Sequence, residues 1–581
     1  MSADLAAELS RQTEELVSRF EQRASGFRGR GDLARLTVTA DRGAAEAEAR
    51  AFFGEGEHQA TGIDGSMDFD ERLQMILFYA NATAYSCPFR VGERVSFDLA
   101  SAGRDERLAA SAAVPLWSED LASVLSRDAE MEMELEHSLE RIPNAFMTLG
   151  EIYLALQACS RSRLVFLDRP LSGTYSTLSR DARNMLKLGR SSLLEWGGGS
   201  GATQLDLELA VGLGAPGLAV PTRARYLHMA VAKALLAGPL TYAELSAALG
   251  VGEGEVRRAG ARLQRYDRRH EGRLLGECGE ERLQLAEGAS GYWERASGLA
   301  LRYARDVFAE RKHPLSLGGE RYITILDVSA AALILLGSLC QEALAKRVLL
   351  LGITKDTTAT DVTRAVLPYA ARSGAVSLES DPPRLRNDRA FLSILSSENP
   401  SVRTPWRTLG YDACLSTVVF MGEGFRSARK VVSREQLFVR SYFQLRTLKS
   451  DPGVRSQVFL FDRLYDQAAD SGSLASLQVE ERVGATRLAP YFESAASGLS
   501  NLALHILSLN DNPEVFEAYG HNQLLYLADK AVKAEVRLLR SSLRGVADLR
   551  VGGVSRRRKV FGLVTPYRQQ RAEAEHARGR A

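Results

Sequence analysis

The sequence predicts an α/β protein in which helices flank a mixed β-sheet. The first indication is the segment Gly62-Ile63-Asp64-Gly65-Ser66, where an apolar strand ends in an acidic residue before a glycine. A second strand of this kind follows in Leu164 to Asp168. Helical and extended apolar patterns also alternate along the chain. With 581 residues, the chain is long enough for about two to four domains.

The composition is that of a globular protein, with 45% hydrophobic and 25% charged residues. The five cysteines are scattered, which argues against a disulfide framework or a structural zinc site and favours a reducing cytoplasm. The N-terminal residues lack the basic and apolar segments of a secretory signal. The longest apolar stretch, Ile323 to Leu339, contains Asp327 and is too short to span a bilayer. We therefore expect a cytoplasmic protein and interpret this stretch as a buried strand plus a helix.

The N-terminal segment is predicted to be an amphipathic helix. Leu5, Leu9, Leu16 and Phe20 recur at helical spacing within residues 3–24. Many of the remaining positions in this segment are acidic. Such a helix would serve either packing or self-association.

Beyond about residue 60 the pattern becomes that of an α/β domain. Ile63-Asp64 ends a first strand, and the segments Leu73 to Ser86 and Arg94 to Leu99 predict a second and a third. Two helices between about 118 and 159 precede the strand Leu164 to Asp168. Three strands, a helical region and then a strand that carries an acid is the order expected of a ribonuclease-H-like sheet.

An inserted module is predicted after a glycine-rich linker at 196–221. A helix over 222–237 is followed by a second helix, which begins with Thr241 as N-cap and Glu244 as the partner in a capping box. A third helix spans about 252–265, and two short segments after it could form a wing. This is a winged helix-turn-helix pattern, and it leaves open whether the module contacts DNA or protein.

Basic residues cluster at two places on a chain whose net charge is only +2. One is the third helix of the module, and the other begins a basic C-terminal tail. Either cluster is a candidate contact for a polyanion, although each also fits a solvated surface. The candidate DNA-binding residues are Arg257, Arg258, Arg262, Arg556, Arg557 and Arg558.

The α/β pattern resumes after the module. A strand within 315–326 and a helix over 330–346 lead to the apolar strand Val348 to Thr354, which is followed directly by Lys355. A long helical region over 512–543 comes last. These elements would extend the sheet that begins before the module.

Five motifs stand in order along these segments, within about 60–215 and 320–545. They are Gly62-Ile63-Asp64-Gly65-Ser66, the helical Glu151, Leu167-Asp168-Arg169-Pro170-Leu171-Ser172, Gly352-Ile353-Thr354-Lys355, and Tyr519-Gly520-His521 with Leu524 and Ala528-Asp529. Together they resemble the motifs of the NurA nuclease family. One position departs from the family, because Arg169 stands where a glycine is usual.

The resemblance implies a ribonuclease-H-like fold and manganese-dependent DNA cleavage. It also implies a homodimer that works beside the hexameric ATPase HerA in DNA end processing and degrades DNA 5′ to 3′. The family places a catalytic glutamate at the position of Glu151 and its last ligand on the closing helix, where Asp529 and His521 are both candidates. Because the chain lacks a Gly-x-x-x-x-Gly-Lys-Ser/Thr motif, any energy source has to be a partner.

The residue types suit this chemistry independently of the resemblance. Phosphodiester hydrolysis needs an activated water and neutralisation of the phosphoryl charge, which two metal ions about 4 Å apart supply. Mn²⁺ and Mg²⁺ prefer oxygen ligands, so carboxylates are the residue types required. The candidate metal ligands are Asp64, Glu151, Asp168 and Asp529, with Lys355 and His521 assisting.

Each candidate also has a structural interpretation. Asp64-Gly65 is a common turn dipeptide, Asp168 could cap the next helix, and His521 could be a structural histidine. Asp529 interrupts an apolar helix face, where a carboxylate is costly unless it is paired or metal-bound. Four further glutamates compete for the role of Glu151, namely Glu132, Glu134, Glu136 and Glu140.

This interpretation divides the chain into five parts: an N-terminal helical segment (1–58), a first nuclease part (59–215), the winged module (216–290), a second nuclease part (291–548) and a basic tail (549–581). Two other functions stay open. The chain could be a non-catalytic DNA-binding scaffold on a degenerate nuclease fold, which Arg169 favours because it could crowd a metal beside Asp168. It could also be an anti-phage defence nuclease with the same chemistry.

Overall fold

The fold comes from a computed structural model that describes most of the chain. The described residues are 2–39, 41–72, 75–125, 139–196, 201–218, 227–277, 281–319, 321–380, 382–383, 385–428, 435–448, 451, 454–480, 485–493, 498–511 and 519–558.

The strands of the described residues belong to one large sheet and three small ones. In chain order they are β1 (Thr37–Thr39), β2 (Gly56–Arg72), β3 (Met75–Val91), β4 (Val95–Phe97), β5 (Gly103–Trp117), β6 (Leu164–Leu167), β7 (Leu240–Thr241), β8 (Arg282–Leu283), β9 (Ser316–Gly318), β10 (Arg321–Tyr322), β11 (Leu349–Thr354), β12 (Trp406–Thr408), β13 (Tyr411–Asp412), β14 (Val418–Met421), β15 (Gly424–Ser427), β16 (Phe438–Gln444), β17 (Phe459–Leu464), β18 (Gly472–Ser473), β19 (Leu477–Glu480), β20 (Ala485–Leu488) and β21 (Phe492–Glu493).

The large sheet is mixed and has 13 strands within the described residues. Its order is β18-β21-β13-β16-β17-β11-β6-β2-β3-β4, with β5 paired to β3, and with β12 paired to β16 and β1. The small sheets are β9 with β10, β7 with β8, and β14-β15-β19-β20.

Helices cover both faces of the large sheet and build the smaller units. They are α1 (Ser2–Ser25), α2 (Gly31–Ala34), α3 (Arg42–Phe53), α4 (Leu121–Leu125), α5 (Arg141–Ala158), α6 (Leu171–Leu188), α7 (Leu193–Trp196), α8 (Gln204–Leu213), α9 (Leu227–Ala234), α10 (Tyr242–Leu249), α11 (Glu253–Arg269), α12 (Tyr292–Phe308), α13 (Ile325–Ala345), α14 (Leu367–Arg372), α15 (Asp388–Glu398), α16 (Gly498–Leu509) and α17 (Gln523–Arg558).

Strand β6 lies at the centre of the sheet and runs parallel to both of its neighbours, β2 and β11. Val165 and Leu167 join the core that contains α5, α6 and α13. Leu164 and Phe166 join the opposite core, which contains α3, α16 and the start of α17. This alternation has the period of two expected of a strand that is buried on both faces. The predicted mixed sheet with flanking helices is therefore confirmed.

Strands β2 and β3 form a hairpin of 17 residues each, paired in register over their whole length. Asp64 lies in the middle of β2, so the prediction that this strand ends at Asp64 with a turn at Gly65 is wrong. The strand continues because Gly65 pairs with Ala82 of β3, even though the other neighbour, β6, ends at Leu167. Asp64 thus lies where β2 loses one neighbour and keeps the other.

The apolar stretch predicted as a strand plus a helix is a single helix, α13. Thr324 caps it, and a capping box forms between Thr324 and Asp327. Asp327 therefore lies in the first turn of a helix. The elements directly before this helix are the short strands β9 and β10. By length and composition α13 could cross a membrane, but 72% of its apolar window is buried inside the protein.

The structure adds a strand and a helix that the sequence did not predict, and it leaves part of one predicted helix outside the described residues. Strand β5 was not predicted, yet it pairs with β3 and widens the sheet. The linker at 196–221 contains helix α8, which a capping box of Thr203 and Asp206 starts. The helix predicted from 118 begins with α4, and residues 126–138, which include Glu132, Glu134 and Glu136, lie outside the described residues.

The segment after α8 forms a unit of three helices and a two-stranded sheet. Helices α9, α10 and α11 contact one another, and β7 pairs with β8. Thr241 and Glu244 form the predicted capping box at the start of α10. Gly250 ends this helix with φ 61°, a left-handed conformation that favours glycine.

Helix α17 packs closely against β2 at Gly62. A Cβ on Gly62 would lie 2.7 Å from Leu524 Cβ and 2.9 Å from the Leu524 carbonyl carbon. Because the helix would have to shift, we expect Gly62→Ala to lower the free energy of unfolding by about 1–3 kcal/mol. Urea unfolding would measure the change. The control is Gly298→Ala in α12, where a Cβ meets nothing within 4 Å. Equal stability of the two variants would contradict this packing.

Candidate active site

Two of the candidate carboxylates are brought together by the parallel pairing of β2 with β6. Ile63 pairs with Leu167, so the residues that follow, Asp64 and Asp168, lie side by side. The Asp168 N–H donates to the Ile63 carbonyl oxygen over 3.2 Å, which continues the ladder by one residue. The backbone therefore places both carboxylates at the point where β6 ends.

A third carboxylate comes from α17, which runs along β2 on the same face as Asp64. Leu524 contacts Gly62 near the start of the helix, and Glu535 accepts a hydrogen bond from Asn81 further along. Asp529 lies between these two contacts. Its charge acts on Asp64, although its side chain is 20% exposed.

The fourth carboxylate approaches from the opposite face of the sheet. Glu151 belongs to α5, and its side chain is only 2% exposed. A Cβ on Gly65 would overlap Glu151 Oε1, so glycine at this position makes room for the carboxylate. Sequence reasoning assigned Gly65 to a turn, but its role in the structure is this close approach.

The electrostatics of the cluster are dominated by Asp64. Its burial, followed by the charges of Asp168 and Glu151, raises the pKa of the Asp64 carboxyl to about 9. Asp64 Oδ1 accepts a hydrogen bond from the Gly65 N–H at 2.7 Å. Asp64 Oδ2 is buried and accepts none from the described part of the chain.

The other three carboxylates are each paired with a cation. Lys355 Nζ lies 2.5 Å from Asp168 Oδ2, and Lys533 Nζ lies 2.7 Å from Asp529 Oδ1. Glu151 pairs with Arg169. Lys533 was not among the predicted residues, although its spacing of four from Asp529 on a helix is a recognisable signal.

Lys355 reaches the cluster from the end of β11, as the sequence predicts for a lysine that follows this strand. Burial opposes its positive charge, but the carboxylates of Asp168, Asp64 and Asp529 raise the pKa of the ammonium group. Lys355 is therefore a charged group at neutral pH. Asp356, the next residue, points to Arg389 instead and is exposed.

The sequence suggested that Arg169 could crowd a metal beside Asp168, but its side chain points away from Asp168. Its guanidinium turns to α5, where Nε donates to Glu151 and Nη1 donates to Thr148 Oγ1 at 3.0 Å. Burial raises the pKa of Glu151, and the charge of Arg169 acts against this rise. Glu140, the competing glutamate in the described residues, is exposed and lies just before α5.

His521 lies near the same cluster, just before α17. Nδ1 is 2.9 Å from the Asn522 carbonyl oxygen, and Nε2 has no hydrogen-bond partner among the described residues. Burial and the charge of Lys355 lower the pKa of the imidazole to about 4. The ring is therefore neutral at neutral pH, and a proton on Nδ1 leaves a lone pair on Nε2.

The turn that carries Asp168 and Arg169 is anchored by a residue that sequence reasoning did not select. Asp462 Oδ2 accepts hydrogen bonds from the Ser172 N–H at 2.9 Å and from Ser172 Oγ at 2.6 Å. Asp462 is held in turn by the buried Arg440, whose Nε donates at 3.0 Å. Distant strands of the sheet therefore fix the position of the turn.

The donor set suits a hard divalent cation. The charges of three carboxylates act on Asp64, and its buried Oδ2 has no hydrogen-bond partner in the described part of the chain. Oxygen donors of this kind are those that Mn²⁺ and Mg²⁺ prefer. Among the described residues, however, no group of three or more His, Cys, Asp or Glu side chains is arranged so that it could hold a metal ion. Three of the four carboxylates are paired with cations instead.

The candidate DNA-binding residues lie elsewhere. Arg257 on α11 is held by Glu253 and Glu281. Arg258 and Arg262 are exposed on the same helix. The remaining three, Arg556, Arg557 and Arg558, are the last residues of α17.

No family model and no curated protein matches the sequence. Among solved structures, the NurA nuclease from Sulfolobus solfataricus is similar, with 10% identity, coverage of 94% of this chain and 96% of that chain, and a TM-score of 0.37. NurA with manganese has 10% identity, coverage of 92% and 98%, and a TM-score of 0.35. NurA bound to dAMP and manganese has 11% identity, coverage of 84% of this chain and 89% of that chain, and a TM-score of 0.32.

These solved structures bear the name of the family whose motifs the sequence resembles. Identities and TM-scores as low as these carry neither a fold nor a chemistry over to this chain.

The raised pKa of Asp64 predicts a pH dependence of stability in EDTA. The folded protein keeps a proton on Asp64 up to about pH 9, whereas the unfolded chain loses it near the ordinary value of about 4. The free energy of unfolding therefore falls as pH rises through this window. We expect Asp64→Asn, which mimics the protonated carboxyl, to be stabilised relative to wild type by about 1–3 kcal/mol more at pH 8 than at pH 5.

Urea unfolding at the two pH values measures this difference. The control is Asp41→Asn, because Asp41 is an exposed N-cap and asparagine caps helices equally well. An Asp64→Asn variant whose advantage does not grow with pH would show that the carboxylates do not repel one another as described.

Proposed function

We propose that this chain is a metal-dependent DNA nuclease of the NurA type, which hydrolyses phosphodiester bonds at DNA ends. The observation that carries the proposal is the environment of Asp64, on which the charges of Asp168, Glu151 and Asp529 act. These three carboxylates are paired with cations, whereas the buried Asp64 Oδ2 has no hydrogen-bond partner among the described residues. A buried polar atom without a partner is costly, and a cation bound at this oxygen would remove that cost.

The order of elements supports a ribonuclease-H-like interpretation of the sheet. Strands β2 to β5 are followed by α5 and then by β6, which Asp168 follows directly. Strand β2, helix α5 and the residue after β6 each contribute a carboxylate whose charge acts within the cluster. Asp64, Asp168 and Asp529 would hold the cation, with Glu151 behind them.

A bound divalent cation would activate a water molecule and neutralise charge on the phosphoryl oxygens. Lys355 is charged and lies beside Asp168, so it can bind a non-bridging oxygen of the scissile phosphate. His521 is neutral and has a lone pair on Nε2, so it can accept a hydrogen bond from the attacking water and orient it. Asp529 is preferred to His521 as the last ligand in this proposal, because its charge acts on Asp64.

The three-helix unit with β7 and β8 is proposed to be a winged helix-turn-helix that grips DNA. Its third helix, α11, presents the exposed Arg258 and Arg262. The basic residues at the end of α17 would extend this contact along the DNA backbone. Arg257 contributes less in this proposal, because two glutamates already neutralise it.

The proposed partners are a second copy of the chain and a hexameric HerA-like ATPase that feeds DNA to the nuclease 5′ to 3′. The absence of a phosphate-binding loop motif from the sequence supports an external motor. Helix α1 supports association, because Leu9, Leu16 and Phe20 are 52–64% exposed along it. Repair of DNA ends and defence against foreign DNA would use the same chemistry.

A non-catalytic DNA-binding scaffold is the second candidate. The ion pair between Arg169 and Glu151 favours it, because it neutralises a carboxylate that the resemblance assigns to the metal. Retained DNA binding without cleavage in Mn²⁺ or Mg²⁺, with or without a HerA-like partner, would establish the scaffold and refute the nuclease.

We expect Asp64→Ala to abolish cleavage and to leave DNA binding within about twofold, since it removes a central ligand and no DNA contact. End-labelled linear duplex and single-stranded DNA would be incubated with Mn²⁺, Mg²⁺ or EDTA, and circular DNA would report endonuclease activity. The control is Asp41→Asn, which should cleave as wild type does. Cleavage by Asp64→Ala at the wild-type rate would refute this site.

We expect the double variant Arg258→Gln, Arg262→Gln to weaken DNA binding and to reduce the salt dependence of log K by about 0.9 for each phosphate that the protein no longer neutralises. Fluorescence anisotropy over a range of salt concentrations measures both quantities. Arg257→Gln is the matched control on the same helix and should have a smaller effect. Unchanged affinity and slope in the double variant would exclude α11 from the DNA interface.

A further inference from the structure

Arg169 is the cation nearest to the least accessible carboxylate of the cluster. Its side chain is 12% exposed, and that of Glu151 is 2% exposed. Its two acceptors, Glu151 and Thr148, are three residues apart and share one face of α5. The guanidinium therefore bridges two turns of a buried helix.

The backbone prevents Arg169 from leaving this position easily. A Cβ on Gly352 would lie 2.5 Å from the Arg169 carbonyl oxygen, so β11 packs directly against the residue. Pro170 follows and restricts the backbone on both sides of the peptide bond. The next residues are tied to Asp462 through Ser172. Arg169 is a fixed part of the site, unlike Lys533, whose side chain is 57% exposed.

The balance of charge then limits how many divalent cations the centre can hold. When Asp64 is ionised, as it would be with a cation bound, Arg169, Lys355 and Lys533 neutralise three of the four carboxylates and leave one negative charge on Asp64. One divalent cation would leave the centre with a single positive charge, which matches a phosphodiester. Two would leave a large positive excess in a mostly buried site, which is unfavourable.

We propose that Arg169 replaces a second divalent cation at Glu151, so that the centre binds one divalent cation, at Asp64, instead of the two expected from the sequence. This inference rests on the proposed function. Glu151 is then a positioning residue that holds Arg169, and the guanidinium supplies fixed positive charge on the side of the centre that faces α5.

The test counts Mn²⁺ bound by the full chain, by electron paramagnetic resonance of free Mn²⁺ in a titration of EDTA-treated protein. Sites that persist in the double variant Asp64→Asn, Glu151→Gln are subtracted as peripheral. We expect one Mn²⁺ for wild type and two for Arg169→Gly, which frees Glu151. Arg180→Ala is the matched control, since Arg180 is an exposed arginine on α6 that pairs with Asp181, and it should bind one.

Glu151→Gln keeps the measurement decisive if Arg169→Gly does not fold. We expect it to bind one Mn²⁺, because Glu151 is not a ligand in this proposal, with a weaker affinity than wild type, because the variant leaves the charge of Arg169 without its ion-pair partner. Two Mn²⁺ bound by wild type and only one by Glu151→Gln would overturn the inference and leave the nuclease intact. Wild type that binds no Mn²⁺ at Asp64 and does not cleave DNA would refute the proposed function itself.

Discussion

Repulsion among four converging carboxylates is the constraint on which the rest of this structure depends. Two like charges about 4 Å apart repel by about 4 kcal/mol at the effective dielectric of a protein surface. In the absence of a bound cation the protein meets this cost in two ways. Arg169, Lys355 and Lys533 each neutralise one partner, and Asp64 retains a proton up to about pH 9. A divalent cation bound at Asp64 in place of this proton would offset the remaining repulsion among the carboxylates.

The fold makes the convergence possible through close approaches that only glycine permits. Gly62 admits α17 onto one face of β2, and Gly65 admits Glu151 from the other face. Strand β6 ends between these two positions, so the carboxylates meet beyond its last residue. The sheet also extends to strands far along the chain, where Asp462 holds the turn that follows β6. A site built from five separate segments is therefore positioned by a single sheet.

The sequence predicted the mixed sheet, and the structure brings Asp64, Glu151, Asp168, Lys355, Asp529 and His521 together; their roles as ligands stay predictions. Residues that end apolar strands or interrupt apolar helix faces carry local signals. The ion pair of Arg169 with Glu151 has no such local signal, because Glu151 lies on a helix 18 positions earlier in the chain. The length of β2 was also misjudged, because its continuation depends on pairing with β3 and not on the Asp-Gly dipeptide. Asp462 was missed for the same reason, since its partner is 290 positions away.

The measurement that most directly tests the central claim is anomalous X-ray diffraction near the manganese absorption edge, from crystals of the full chain soaked in Mn²⁺. If the acidic cluster is a cation centre, an anomalous peak should lie within coordination distance of Asp64 and be absent from crystals of Asp64→Asn. Peaks confined to surface carboxylates, or a peak at the cluster that persists in Asp64→Asn, would contradict the account.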